Sequence, residues 1–152
     1  MHFLRELSRN YVLICAGLGY TVAQLFKLII AIFKEKRFRP GLLISSGGMP
    51  SSHATTVTAT AVAVGRIYGV SSGLFAIAFV LAAIVMYDAA GVRRETGEQA
   101  KLLNVLVRDL AERADKEITI RHFKELVGHT PIQVLAGAAL GVILPFLYVG
   151  RV

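Results

Sequence analysis

Six ionisable residues lie at or near the ends of apolar segments, and their types together suit the transfer of a phosphoryl group. They are Lys27, His53, Asp88, Arg93, Arg94 and His129. One imidazole can attack phosphorus and the other can protonate the leaving alkoxide, while the cations neutralise the phosphoryl oxygens. A carboxylate, Asp88 or Glu125, can orient the nucleophilic ring. The candidate catalytic residues are therefore the two histidines and one of these carboxylates.

The stretch Gly47–His53, GGMPSSH, has the composition of an anion cradle. Glycine lets the backbone approach a ligand closely, and Pro50 suits the first position of a helix. The amides of Ser51, Ser52 and His53 would then point outward from the positive end of that helix. The predicted phosphate-binding residues are Lys27, Gly48, Ser51, Ser52, Arg93 and Arg94. The alternative is a membrane-helix start without a ligand.

Each charged residue also has a purely structural interpretation. Lys27 could extend its amine to the membrane interface, and Asp88 could pair with Lys27, Arg93 or Arg94. The two arginines alone are ordinary anchors beside a membrane. The functional interpretation depends on the convergence of all these groups, because ionisable residues within membrane segments are costly and tend to mark function.

Four apolar segments predict the elements that position these residues. More than half of the 152 residues are apolar, and the runs are long enough to cross a bilayer, the second being weaker and rich in Ala, Val and Thr. We expect an all-α, polytopic membrane helical bundle forming one domain over 1–152. Its transmembrane helices lie near residues 11–33, 51–68, 71–91 and 131–149, with an amphipathic cytoplasmic helical connection over 92–130.

The distribution of basic residues predicts the orientation. Twelve Lys and Arg lie in the connections 34–50 and 91–130, and four are left for the other side of the membrane: Arg5, Arg9, Arg66 and Arg151. The positive-inside rule places these connections in the cytoplasm and the N-terminus outside. All six candidate residues then share the cytoplasmic face of a bacterial-type cell membrane or its equivalent. The net charge of +7 is better explained by topology and anionic lipid than by nucleic acid.

No cofactor is expected from the sequence. Neither an HExxH motif nor another His, Asp and Glu cluster with metal-ligand spacing occurs, so metal-free chemistry is favoured over a metal site. The single cysteine, Cys15, excludes an internal disulfide and leaves the redox compartment open. The first apolar segment is too long for a secretory signal and is expected to remain as a helix.

Three blocks resemble the divergent membrane branch of the type 2 phosphatidic acid phosphatase superfamily, which is described as acid phosphatase/vanadium-dependent haloperoxidase related. They are GGMPSSHAT, MYDAAGVRRETGEQAKLLN and GHTPIQVLAGAALG, within a resemblance from Tyr11 to Leu147. The resemblance implies a phosphohistidine intermediate, with His129 as nucleophile and His53 as general acid. The three motifs of the superfamily are Lys-x6-Arg-Pro, Pro-Ser-Gly-His and Ser-Arg-x5-His-x3-Asp. The resemblance matches residues 50–53 to the second motif and implies that Arg93 or Arg94 is the arginine of the third.

The chain departs from the superfamily pattern at four places, the first being Ser52 in place of the glycine of the second motif. Arg94 and His129 are separated by 34 residues instead of five, and Gln133 stands where the third motif has an aspartate, so that Asp88 is a candidate substitute. Ile32 occupies the position of the first-motif lysine before Arg39-Pro40. Lys27 or Lys34 could replace that lysine, and Lys27 is favoured because it lies within the membrane.

We expect a membrane lipid phosphatase that hydrolyses a lipid phosphate monoester. Phosphatidylglycerophosphate is favoured, phosphatidic acid is the other candidate, and an undecaprenyl diphosphate or haloperoxidase role is disfavoured. The alternative is a non-enzymatic scaffold that binds anionic lipid and packs through Gly137-x3-Gly141. A transporter is a third class. The partner is a phospholipid in the membrane, and the small number of helices favours a homodimer.

Overall fold

The computed structural model describes residues 2–35, 48–114, 123 and 128–148. Several predicted features lie outside the described residues: Gly47, Arg39-Pro40, Glu125 and most of the second half of the helical connection over 92–130. The side chain of Lys34 lies outside them as well. Six helices form the described part of the chain: α1 (His2–Leu7), α2 (Tyr11–Glu35), α3 (Ser52–Tyr68), α4 (Gly73–Ala90), α5 (Val92–Ala114) and α6 (Pro131–Leu147).

The fold is an all-α helical bundle of the membrane type, as the apolar pattern predicts. Two helical segments, Tyr11–Phe33 and Gly73–Arg113, are long and apolar enough to cross a membrane, and Pro131–Leu147 is a shorter apolar helix. The second segment joins α4 to α5 through a turn at Gly91. Large apolar side chains on α2 and α4 are exposed on the outside of the bundle, which is expected where a helix faces lipid.

Helix α3 differs from the other apolar helices because it lies in the centre of the bundle. It packs against α2, α4 and α6, and its buried residues are mostly alanine. Thr55 is fully buried, and its hydroxyl donates to the carbonyl of Ser51 at 2.9 Å. Small side chains and satisfied hydroxyls let three helices approach α3 closely, which explains why this segment has the weakest apolar signal in the sequence.

Two glycines bring α6 into direct contact with the backbone of α3. A Cβ atom on Gly137 would lie 2.5 Å from the carbonyl oxygen of Ser51, and one on Gly141 would lie 2.6 Å from the carbonyl oxygen of Thr55. Any side chain would therefore force the helices apart. The Gly137-x3-Gly141 motif therefore makes its contacts within the bundle, where it sets the distance between α6 and the beginning of α3.

A polar cluster joins three helices at the opposite end of the bundle. The hydroxyl of Tyr11 donates to the carbonyl of Pro145 at 2.6 Å. The guanidinium of Arg66 donates to the same carbonyl and to the Tyr11 hydroxyl. A cation suits the carbonyl end of a helix, so these contacts complete the last turn of α6 and tie it to α2 and α3.

Candidate active site at the helix ends

A short segment before α6 carries His129 to the beginning of α3. The amide of His129 donates to the carbonyl of Ala89 at 2.9 Å. Gly128 has a φ of +91°, and a Cβ atom there would lie 2.5 Å from the backbone nitrogen of Arg94. The backbone therefore lies against the junction of α4 and α5 at a distance that only glycine permits. Thr130 caps α6 and Pro131 opens it.

The two candidate catalytic histidines are neighbours. The ring centroids of His53 and His129 are 5.9 Å apart, and the rings meet edge to face. His53 lies in the first turn of α3 and is half-buried, whereas His129 is 2% exposed. Within the described residues, Nδ1 of His53 and Nε2 of His129 are buried without a hydrogen-bond partner. Two buried imidazole nitrogens thus remain available at one place in the fold.

The surroundings of His129 keep its ring neutral. Burial lowers the pKa of His129 below its ordinary value, and the nearby positive charges of Lys27 and a protonated His53 lower it further. Contacts with the side chain of Gln133 and the backbone of Gly48 work in the opposite direction. Because burial dominates, the unprotonated imidazole is favoured, which is the form that a nucleophile requires.

Lys27 reaches the same place from α2. Its side chain is 3% exposed, and a Cβ atom on Gly48 would lie 3.1 Å from Cγ of Lys27 and 3.2 Å from its Cδ. Gly48 has a φ of +94°, in the region that side chains rarely adopt. The glycine thus lets the loop before α3 lie over the lysine stem. The Lys27 charge acts on both imidazoles.

The two serines begin α3, but not quite as the sequence predicts. The helix starts at Ser52, with Ser51 as the N-cap, so Pro50 precedes the helix instead of opening it. Ser51 is fully buried, its hydroxyl accepts from the amide of Ala54 at 3.3 Å, and its own amide donates to the carbonyl of Gln133 at 3.0 Å. The prediction that the Ser51 amide points outward is therefore wrong, because this amide donates to a carbonyl of α6.

The amides of Ser52 and His53 remain as the first-turn donors of α3. The first amides of a helix have no acceptor within it, and they carry the positive end of the helix dipole. Ser52 is 4% exposed, so this end of α3 lies inside the protein beside the histidine pair. The buried, unpartnered Nε2 of His129 at the same place distinguishes this helix end from an ordinary N-terminus.

The predicted cations and carboxylate of the second block, MYDAAGVRRETGEQAKLLN, lie at the edge of the cluster. Oδ2 of Asp88 is 2.5 Å from Nε of Arg93, and both side chains are partly exposed. Arg94 contributes its backbone to the contact with Gly128, and its side chain is exposed. The hydrogen bond of Asp88 is made with Arg93, and the side chain that contacts Nδ1 of His129 is Gln133.

Gln133 is the residue that the sequence interpretation undervalued. Its Oε1 lies 3.2 Å from Nδ1 of His129 and also accepts from the amide of Thr130 at 3.2 Å. It occupies the position four residues after the histidine, where the superfamily motif has aspartate. The signal was present in the sequence, because Thr-x-x-Gln before an apolar run is a capping box that places the glutamine beside the cap.

No metal centre is formed within residues 2–35, 48–114, 123 and 128–148: no three His, Cys, Asp or Glu side chains there lie close enough to share an ion. The two histidines, with the charges of Lys27 and Arg93 acting on them, form a set that suits an anion better than a cation. The arrangement offers a nucleophile, a second imidazole for proton transfer and several donors for a phosphate.

Together the apolar bundle and the polar cluster at its helix ends define an α-helical integral membrane protein with a candidate anion site. Residues 8–144 match the family described as Divergent PAP2 family, and the chain belongs to that family. It is 38% identical over 149 residues to the uncharacterized membrane protein YuiD of Bacillus subtilis (strain 168), covering 91% of this chain and 94% of the relative. No solved structure matches the chain.

Proposed function

We propose that this protein is a membrane phosphatase that hydrolyses a lipid phosphate monoester without a metal, through a phosphohistidine on His129. The observation that carries the proposal is the buried, unpartnered Nε2 of His129 beside His53 at the beginning of α3. Phosphatidylglycerophosphate is the favoured substrate and phosphatidic acid is the second candidate. Membership of the Divergent PAP2 family supports the phosphatase class.

The reaction follows from the positions of the two imidazoles. Nε2 of His129 attacks phosphorus, the phosphorus–oxygen ester bond breaks, and His53 gives its proton to the leaving lipid alkoxide. Water then attacks the phosphohistidine, with His53 accepting the proton, and inorganic phosphate leaves. Lys27, the amides of Ser52 and His53, and the arginines stabilise the charge that develops on the phosphoryl oxygens. Asp88 orients Arg93 at the edge of the site through their ion pair.

The scaffold alternative has less support. It assigns Gly137-x3-Gly141 to contacts with another protein, whereas both glycines lie against the backbone of α3 within the same chain. The scaffold hypothesis also gives no reason for an imidazole nitrogen to be buried without a hydrogen-bond partner. Under the scaffold hypothesis both histidines should be replaceable without loss of function, and the test below separates the two proposals.

Phosphate release tests the catalytic proposal. The purified protein in detergent is given phosphatidylglycerophosphate or phosphatidic acid in the presence of EDTA. The variants are His129→Gln and His53→Gln, and the matched control is His2→Gln, an exposed histidine on α1. We expect release from the wild type and from the control, and none above background from the two site variants. Equal release by all four proteins, or none from the folded wild type on either lipid, contradicts the proposal.

We further propose that the site faces the cytoplasm and that the N-terminus lies outside, because the connections rich in Lys and Arg share the side of the site. Cysteines placed at Ser8 and Glu98 in a Cys15→Ala background test this in intact cells. An impermeant thiol reagent should label the Ser8→Cys protein directly and the Glu98→Cys protein only after the membrane is opened. The reverse labelling pattern contradicts the orientation.

A further inference from the structure

The orientation of the Gln133 side chain is determined by the capping box of α6. The backbone amide of Thr130 faces one terminal atom of Gln133 at 3.2 Å, and the backbone amide of Gln133 donates to the Thr130 hydroxyl at 3.4 Å. A backbone amide can only donate a hydrogen bond. The atom that faces Thr130 must therefore be the amide oxygen, Oε1, which excludes the flipped orientation of the side chain.

The same oxygen determines which nitrogen of His129 carries the proton. Oε1 of Gln133 lies 3.2 Å from Nδ1 of His129, and an amide oxygen can only accept. Nδ1 must then be the protonated nitrogen, because two lone pairs facing each other at this distance would repel. A neutral imidazole has one N–H, so the lone pair lies on Nε2. That nitrogen is buried and has no hydrogen-bond partner among the described residues.

We propose that Gln133 is a positioning residue that holds His129 as its Nδ1–H tautomer and so presents Nε2 as the nucleophile. The proposal rests on the phosphatase function stated above and explains how the site works without an aspartate at this position. The Gln133 side chain thereby has two contacts with different roles: its Oε1 caps the backbone amide of Thr130 and orients the ring of His129, whereas the Thr130 hydroxyl takes no part in orienting the ring.

The charge of the orienting group distinguishes this arrangement from one built on a carboxylate. An amide keeps the ring oriented without adding a negative charge that would favour the imidazolium. The other charged groups that act on His129 are Lys27 of α2 and, when protonated, His53 of α3. His53 in turn faces Arg93 and Asp88 from the junction of α4 and α5. With a neutral glutamine, burial and then the positive charges near His129 favour the unprotonated ring.

The balance of the transfer step is consistent with this tautomer. The Nε2 lone pair forms the nitrogen–phosphorus bond while the ester oxygen leaves with its electron pair and takes a proton from His53. The Nδ1 proton stays in its hydrogen bond to Gln133 throughout. The ring of the phosphohistidine then carries the positive charge, and Oε1 of Gln133 accepts from the N–H that shares it.

Nitrogen-15 NMR of histidine-labelled protein in detergent tests the tautomer without any substrate. The resonances of His129 are assigned by comparison with the His129→Asn variant. We expect Nε2 to resonate as an unprotonated nitrogen and to couple to both ring carbon-bound protons, whereas Nδ1 resonates as N–H. In Gln133→Met, which removes the acceptor at similar length, we expect a mixture of tautomers. A protonated Nε2 in the neutral wild-type ring overturns the proposal.

Kinetics separate positioning from helix capping. We expect Gln133→Met to lower kcat for phosphate release about tenfold with little change in KM, since one hydrogen bond is lost. Thr130→Ala removes the capping hydroxyl but keeps the backbone amide that holds Oε1, so its tautomer and kcat should resemble those of the wild type. If both variants lose the same activity, the role of Gln133 is merely structural and the proposal is wrong.

The conservative variant Gln133→Glu supplies a further readout. A carboxylate still accepts from Nδ1 but favours the imidazolium, so the acid limb of the kcat/KM profile should move upward by about one pH unit. If the acid limb is the same in Gln133→Glu and the wild type, residue 133 does not act on Nδ1 of His129 and the proposal is wrong. If the NMR result is as expected but no lipid phosphate is hydrolysed, the phosphatase function fails while the tautomer assignment stands. If hydrolysis occurs with the opposite tautomer, only the positioning role fails.

Discussion

Replacement of Gly137 by alanine should separate the two helices that carry the site. A Cβ atom there would lie 2.5 Å from the carbonyl oxygen of Ser51 and 3.1 Å from Cβ of Ala54. Ordinary contacts begin at 3.4 Å, so the first distance is 0.9 Å too short. The obstacle is backbone at the N-cap of α3, which cannot rotate away as a side chain can. Helix α6 must therefore move by a large fraction of an ångström.

The energetic cost of this movement is the difference of two effects. Overpacking of this kind costs about 1–3 kcal/mol. Alanine in place of glycine within a helix returns about 1 kcal/mol, because glycine is the poorer helix former. Gly17→Ala is the matched control, because that helical glycine has nothing within 4 Å of its added Cβ. We expect Gly137→Ala to unfold more readily than Gly17→Ala, by about 1–3 kcal/mol in the free energy of unfolding.

The effect on catalysis should be larger than the effect on stability. The same contact holds the Ser51 amide at 3.0 Å from the Gln133 carbonyl, and so it helps to place His129 beside His53. A misplacement of about 1 Å between reacting groups can cost roughly a hundredfold in rate. Unfolding in detergent and phosphate release would be measured for both alanine variants. If Gly137→Ala matches Gly17→Ala in stability and in rate, the close approach of α6 and α3 does not set the site geometry.

Three further predictions address the loop, the buried imidazole and the opposite end of the bundle. Gly48→Ala should lower phosphate release at least tenfold, because a φ of +94° is strained for alanine and the new Cβ would lie only 3.1 Å from Cγ of Lys27. Gly17→Ala is again the control. Burial lowers the pKa of His129 from its ordinary value of 6.5, so as the pH decreases from about 7 towards 5 the unfolded chain takes up a proton first and the free energy of unfolding should fall. Thermal unfolding in detergent should therefore depend less on pH in His129→Gln than in the wild type. An identical pH dependence in the two proteins would refute this. Tyr11→Phe removes the donor to the Pro145 carbonyl and should cost about 1 kcal/mol of stability without lowering phosphate release; a large loss of activity would mean that the two ends of the bundle are coupled.

Much of the fold follows from local patterns in the sequence. The apolar runs predict a helical membrane bundle, because only long apolar helices satisfy the backbone in lipid. The Thr130-Pro131 start of α6 was predictable from capping chemistry, which depends on neighbours in the chain. The start of α3 was predicted less accurately, since Pro50 and Ser51 are each good initiators and the choice depends on the Gln133 carbonyl that receives the Ser51 amide.

The candidate site was predictable as a group of residues but not as a set of contacts. Lys27, His53 and His129 could be placed together because successive helices alternate in direction and buried charge is costly. The partner of Asp88 could not be chosen, since Arg93, Arg94 and Lys27 were all within reach of an unoriented side chain. The structure pairs it with Arg93 at 2.5 Å. Gln133 was noted only as a missing aspartate, although its amide oxygen takes the place at Nδ1 of His129.

The sequence by itself determined which segments are helical and at which helix ends the polar residues collect, because hydropathy and capping act over a few neighbouring residues. The tertiary structure decided which atoms face each other at those ends. The rotation of α6 about its own axis, set by Gly137 and Gly141 against α3, gives the Ser51 amide to the Gln133 carbonyl and brings His129 beside His53. Such a rotation depends on contacts between residues about 80 positions apart, and spacing along a single chain carries no measure of it.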